Sequence, residues 1–271
     1  MITYGSATLE DVRLILDWAA DEGWNPGVED ADAFFATDPE GFFVARLDGL
    51  PIASISVVNH SDTFAFLGLY IVRPEHRGRG IGFRLWEHAL AHAGDRVIGL
   101  DGVAEQQANY AKSGFTTAGS TARFTGHVPQ MDRGEMLPFA TAADIDRAID
   151  WEADVTGFRK ETFLRGWLRA SENRTTLIAN GGFCTVRTCR DGVKVGPLLA
   201  RHHDTALDLI AAAAKFTQCP LTIDVPVSST QLRELCIGLG LKSSFETARM
   251  YLGTAKPIEA EYYAVSTLEL G

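Results

Sequence analysis

Residues 72–82, VRPEHRGRGIG, restrict the fold more than any other stretch of this chain. An apolar, β-branched run over residues 64–72 precedes them. After them, Ile81, Leu85, Trp86, Ala89 and Leu90 recur at helical spacing over residues 80–93. The glycines therefore stand where a strand hands over to a helix. The first amides of a helix have no partner inside it and point outward, and the helix dipole favours an anion there. Glycines let that anion approach without a Cβ in the way. Arg73, His76, Arg77, Arg79 and Arg84 surround the turn, with Glu75 the only acid between Arg73 and Arg84. This is a phosphate site by its context as well as by its glycines. No Gly-Lys-Ser/Thr follows, so it is not a Walker loop. It comes after an antiparallel meander rather than in a first βα turn, so it is not a dinucleotide fingerprint.

The surrounding pattern predicts a mixed α/β fold. A helix starts at residues 6–11 and runs to about Gly23, and a short one spans residues 30–36. Strands follow at 42–47 and 52–58, joined by Asp48-Gly49, a hairpin signal. Beyond the glycine turn come a strand at 97–103, a helix at 106–112 and a strand opening at Gly114-Phe115. The second half repeats this order more faintly, with helices near 144–153, 162–170, 204–215 and 229–239. Strands are expected near 175–180, 182–187, 193–199 and 221–225. Pro74 and Asp101 lie 27 residues apart, as do Pro197 and Asp224, each Pro after a strand and each Asp within one. We expect a duplication: two tandem units, residues 1–128 and 136–271, joined near residues 126–138. Each would be a mixed, mostly antiparallel sheet flanked by helices.

The length of 271 residues and 46% hydrophobic content suit two globular units. A formal charge of −10 repels phosphate backbones and excludes nucleic acid as a general partner, so a polyanionic ligand must meet the local basic patch. Nothing reads as a secretory signal or a membrane span. Cys184, Cys189, Cys219 and Cys236 form no C-x-x-C pair and read as reduced thiols in a cytoplasmic protein. His202-His203 lacks further converging ligands, so no metal site is expected.

The run Leu69-Tyr70-Ile71-Val72-Arg73-Pro74, with Arg77, Gly80 and Gly82 and then Tyr110, Gly114 and Phe115, resembles the signature of the GNAT superfamily of N-acetyltransferases in order and spacing. Glu22–Gly27 and the segment Phe245–Tyr251 further resemble a bacterial subgroup, the YitH-like proteins, which carry a second, divergent acetyltransferase-like domain. The resemblance implies acetyl-CoA as cosubstrate and a primary amine of a small molecule or peptide as acceptor, in a monomer or homodimer.

It also implies roles for particular residues. Backbone groups of Ile71 and Val72 would pair with the pantetheine arm. Amides of Arg77, Gly78, Arg79, Gly80, Ile81 and Gly82 would hold the pyrophosphate, and an amide near Ile71 would polarise the thioester carbonyl. Tyr110 would be the general acid for the leaving thiolate, since a phenol keeps its proton at neutral pH. Val103 stands where the family often has an Asn, leaving Gln106 or Asn109 for the pantetheine. The strand before the loop carries no acid, so the base is open among Asp62, His60, Glu22, Asp101 and water. Glu22 and Trp24 are candidates to meet the acceptor. The second half lacks the glycine loop after Val195–Leu199, which leaves one cofactor site. A CoA-binding sensor without catalysis is the alternative.

Overall fold

The computed structural model describes residues 1–133, 137–215 and 219–271. Residues 134–136, within the expected connector and including the first residue of the expected second unit, lie outside the described residues. The first half runs β1 (Ile2–Ser6), α1 (Leu9–Asp21), α2 (Asp30–Thr37), β2 (Phe42–Leu47), β3 (Leu50–Asn59), β4 (Phe64–Val72), α3 (Ile81–Leu90), β5 (Val97–Gly102), α4 (Gln107–Lys112) and β6 (Thr116–Gly126). The second runs α5 (Ala142–Thr156), α6 (Glu161–Trp167), β7 (Arg174–Ala179), β8 (Gly182–Thr188), β9 (Val193–Ala200), α7 (His203–Lys215), β10 (Leu221–Pro226), α8 (Thr230–Gly238), β11 (Lys242–Leu252) and β12 (Tyr263–Ala264). Three strands escaped the sequence reading, and one of them, β11, is among the longest of the sheet. β1 is short and partly exposed, and β12 has two residues.

Helix starts follow local chemistry. Thr8 and Asp11 form a reciprocal capping box at α1, and Thr141 and Asp144 form the same box at α5. This repeat of one device at the first helix of each half supports the duplication. The proline correspondence does not hold, because Pro197 sits inside β9 whereas Pro74 follows β4. The glycines match better. A Cβ on Gly68 of β4 would lie 2.0 Å from the Glu269 carbonyl oxygen, and one on Gly196 of β9 would lie 2.2 Å from that of Val265. The tail thus crosses both strands at equivalent points, and only glycine admits it.

A single sheet carries both halves in the order β1-β2-β3-β4-β5-β11-β6-β10-β9-β8-β7. The centre of that order is an exchange. β11, from the end of the chain, pairs antiparallel with β5, while β6 pairs antiparallel with β10. β6 and β11 also pair with each other. Each half is therefore completed by a long strand from the end of the other. Two ion pairs lock the exchange at matching register positions. Arg249 of β11 grips Asp101 of β5 at 3.0 and 2.7 Å, and Arg123 of β6 grips Asp224 of β10 at 2.7 and 2.9 Å. The two aspartates picked out by spacing are thus structural counterparts.

The halves also share a core. α1, α2, α5 and α6 meet around Phe34, Phe163 and Trp167, with Phe34 stacked on Trp167 at 5.8 Å and 16°. His60 lies at the edge of this aromatic group, buried between Phe64 and Phe163, and donates from Nε2 to the Leu270 carbonyl at 2.8 Å. Burial, with help from nearby Lys160, pushes its pKa down to about 3. The ring is neutral in the folded protein but titrates near 6.5 when unfolded. Its depressed pKa contributes stability that is whole above pH 6.5 and is lost as pH falls toward 3. Urea unfolding at pH 5 should show a loss of about 2 kcal/mol from this group, relative to pH 7. A His60→Gln variant should lack that component, and an unchanged pH dependence in the variant would refute it.

Candidate active site

β4 and β5 run parallel and pair only from Phe64↔Val97 to Leu67↔Leu100. They then part. At the parting point Leu69 has φ +48°, and the register against β3 shifts between Ser54 and Ser56. A leucine in the left-handed region is uncommon and costs about 1–3 kcal/mol, so it persists only where its surroundings impose it. Ser54 Oγ donates to the Leu69 carbonyl at 2.8 Å and holds the bulge. Nothing in the sequence announces this bulge.

The splay opens a groove of about 460 Å³, lined by Tyr70, Ile71 and Val72 on one wall and by Val103, Glu105 and Gln106 on the other. His76, Arg77, Gly78, Gly80, Ile81, Gly82 and Phe83 close its outer end. Gly78 and Gly80 adopt φ +72° and +73°, and a Cβ on either would meet open space. Gly80 caps α3 with no side-chain hydrogen bond, leaving the first amides of that helix for a ligand. Gly82 serves packing, since a Cβ there would lie 2.6 Å from the Tyr70 hydroxyl. The open amides and the arginines around them suit a phosphate-bearing anion.

The arginines divide their work. Arg77 donates from Nε to the Val72 carbonyl at 2.8 Å and pairs with Glu22 at 2.5 Å, closing the strand end over the groove. Arg79 is exposed and contacts His76 Nδ1 at 3.3 Å. Asn109 is exposed and bonded to Gln106 at 3.0 Å, so Gln106 rather than Asn109 reaches the groove wall.

A second, narrow cleft of about 60 Å³ continues inward from the first, through Trp24, Tyr70, Val103 and Gln106, which line both. Its walls are largely apolar: Leu67, Leu69, Leu100, Phe245 and Leu268. Tyr110 lies there, buried and stacked on Trp86 at 5.5 Å. Burial, with Tyr70 nearby, holds its phenol well above the usual tyrosine range. Trp24 is fixed through its carbonyl, which accepts from Arg123 Nη1 at 3.0 Å and Lys194 Nζ at 2.8 Å. Asn25 and Asp191 exchange two further bonds, so the second half holds the α1–α2 loop against the cleft.

The base candidates fare unevenly. His60 is spent on Leu270, Asp62 is on an exposed turn, Asp101 is held by Arg249, and Glu22 pairs with Arg77. Phe245 of β11, within the motif 245–251, lines the inner cleft; Leu268 and Glu269 line it too and had no sequence signal, because a fold contact alone brings the tail across Gly68.

The second half shows the same splay in another state. β9 and β10 pair from Val193 to Val195 only. The gap beyond is filled by the chain itself: β12 pairs with Leu198 and Leu199, and Val265 donates to the Asp224 carbonyl at 3.0 Å. Among the described residues no group of acidic, His or Cys side chains is arranged to hold a metal ion. No helix of the described residues is long and apolar enough to cross a membrane.

This splayed strand, glycine cradle and tandem sheet place the chain in the GNAT acetyltransferase family, and it belongs there by sequence as well. The GNAT acetyltransferase family model matches residues 9–115, and a GNAT acetyltransferase domain model matches residues 148–263. Holothin acyltransferase of Pseudoalteromonas sp. (strain SANK 73390) is 34% identical over 98% of this chain and 93% of its own. An uncharacterized N-acetyltransferase, YitH, of Bacillus subtilis (strain 168) is 26% identical over 76% of each. A putative acetyltransferase structure from Pyrococcus horikoshii covers all of this chain and 96% of its own with a TM-score of 0.84 at 21% identity. A tandem GNAT protein from the clavulanic acid biosynthesis pathway covers 94% of this chain and 100% of its own, with a TM-score of 0.64 at 15% identity. The chain is an acyltransferase with two GNAT domains, of a family that uses acyl-CoA cosubstrates.

Proposed function

We propose that this protein transfers an acetyl group from acetyl-CoA to a primary amine at one site in its first half. The continuity of the two clefts through Tyr70, Val103 and Gln106 carries this reading. Amides of residues 77–82 hold the pyrophosphate, and the open backbone of Ile71 and Val72 meets the pantetheine. Acetyl-CoA supplies the activated acyl group. The second half supplies no second site, because β12 stands where a pantetheine arm would lie.

Residues 1–128 carry the chemistry on this reading. Residues 136–271 support it by fixing Trp24 and lending Phe245 and Leu268 to the inner cleft. That cleft has an apolar lining, so the acceptor is a small amine with an apolar or aromatic body. A homologue named for acylating holothin supports a small-molecule acceptor. Tyr110 keeps its proton until the thiolate leaves and then donates it. Tyr110→Phe should lower kcat about 100-fold, in line with the loss of a general acid, and change the Kd for CoA less than about threefold. Steady-state kinetics with isothermal titration measures both. A Phe variant with full turnover would remove Tyr110 from the chemistry.

Incubation with acetyl-CoA and a panel of amines, including holothin and phenethylamine, tests the function itself. Thiol release matched by acetylated amine is the expected result. CoA binding without acetylation of any amine would favour a sensor.

A further inference from the structure

We infer that Glu269, on the C-terminal tail, is the base that takes the acceptor's proton; this rests on the acyl-transfer reading above. Glu269 is 3% exposed, and it lines the inner cleft beside Tyr110 and Leu268. Its backbone is fixed, because its carbonyl lies against Gly68 where β4 leaves β5. Thr267 Oγ1 donates to Oε2, and the Glu269 amide donates back to that hydroxyl at 3.1 Å. The other carboxylate oxygen has no hydrogen-bond or ion-pair partner among the described residues. That oxygen is free to meet a ligand in the cleft.

Several cations stand near Glu269 without gripping it. Arg123 of β6, Arg187 of β8 and Lys194 of β9 lie within electrostatic range, as does the Cys189 thiol. Arg123 is committed to Asp224 and Trp24, Arg187 faces Asp30 at 3.4 Å, and Lys194 donates to Trp24. Asp101, the other acid of the cleft, is held by two bonds from Arg249. Glu269 is thus the acid of the inner cleft that no cation grips.

The proton account closes. An acceptor arriving as its ammonium gives one proton to Glu269, which releases it to solvent. The neutral nitrogen attacks the thioester carbonyl carbon, a C–N bond forms and the C–S bond breaks. The second nitrogen proton passes to Glu269 while Tyr110 protonates the leaving sulfur. Glu269 then returns its proton to the Tyr110 phenolate through solvent. The products are amide, free thiol and one proton.

The test is kcat against pH with acetyl-CoA and phenethylamine. Gln keeps an oxygen for Thr267, so Glu269→Gln should fold and bind CoA as the wild type does. Its kcat at pH 7 should fall about 100-fold and climb with pH toward the amine's own pKa, since solvent must then deprotonate the acceptor. The wild type should reach its plateau near neutrality. If the Gln variant fails to fold, Glu269→Asp carries the test, with kcat about tenfold lower and the neutral plateau retained. Unchanged kcat and pH profile in either variant overturns the assignment and leaves acyl transfer standing. A wild type that acetylates no amine of the panel overturns both.

Discussion

Replacing Gly80 with leucine should weaken CoA binding by at least about 100-fold, close to 3 kcal/mol, with the fold kept. A Cβ at this position meets open space within the protein, so no side chain is displaced. The cost to stability is the φ of +73°, about 1–2 kcal/mol for a residue with a Cβ. The cost to binding is larger, because the space that leucine fills is the approach to the first amides of α3. Those amides are worth most when a phosphate oxygen reaches hydrogen-bond distance, and a side chain there keeps it away. Isothermal titration with CoA, alongside a melting curve, separates the two effects. A variant that melts normally and binds CoA with wild-type affinity would place the pyrophosphate elsewhere.

The second large effect concerns the strand exchange. Arg123→Leu should destabilise the protein by about 3–5 kcal/mol, because it strands a buried carboxylate between β6 and β10. Arg123, Lys194 and Arg187 together hold the Asp224 carboxyl below the usual aspartate range against the opposing effect of burial. Its lowered pKa contributes stability that is present above about pH 4 and is lost as pH falls through the folded value. The variant should therefore lose part of the acid sensitivity of the wild type along with its stability. Adding Asp224→Leu should recover much of the loss, since two apolar side chains can replace a buried pair at little cost. Urea unfolding of the single and double variants measures this. A single-variant loss under 1 kcal/mol would mean that the pair does not lock the exchange. Arg123 also holds the Trp24 carbonyl, so the single variant should raise the KM for the acceptor while it remains folded.

These two residues mark what the sequence makes legible. Gly80 was readable because the phosphate turn is local: a strand, a positive-φ glycine and a helix start lie within a few residues. Thr8 and Asp11 were readable for the same reason, fixed by short spacing. Asp101 and Asp224 stood out by their spacing, but their partners did not. β6 and β11 read alike whichever half they join, so nothing in either strand tells that it completes the other half. The Leu69 bulge has no compositional mark, since a leucine gives no sign of left-handed backbone. Tyr70 lay inside the recognised strand motif, yet only the splay shows that it lines both clefts. Glu269 and β12 depend on a tail that returns across Gly68 and Gly196, a contact made between residues about two hundred positions apart in one case. The glycines were visible, and the reason for them was not.

The same tail accounts for the single site proposed for this duplicated fold. In the first half the parting of β4 and β5 leaves backbone open, whereas in the second β12 pairs with β9 and covers it. The glycine cradle is likewise present at Gly78 and Gly80 and replaced by Arg201-His202 before α7. Both differences point the same way, toward one cosubstrate per chain.

A crystal structure of the protein with CoA tests this most directly. The account predicts one CoA per chain, with its pyrophosphate on the amides of residues 77–82, its pantetheine along Ile71 and Val72, and its thiol at the inner cleft beside Tyr110. A pyrophosphate bound at the start of α7, a second CoA displacing β12, or a thiol directed away from Tyr110 would contradict it.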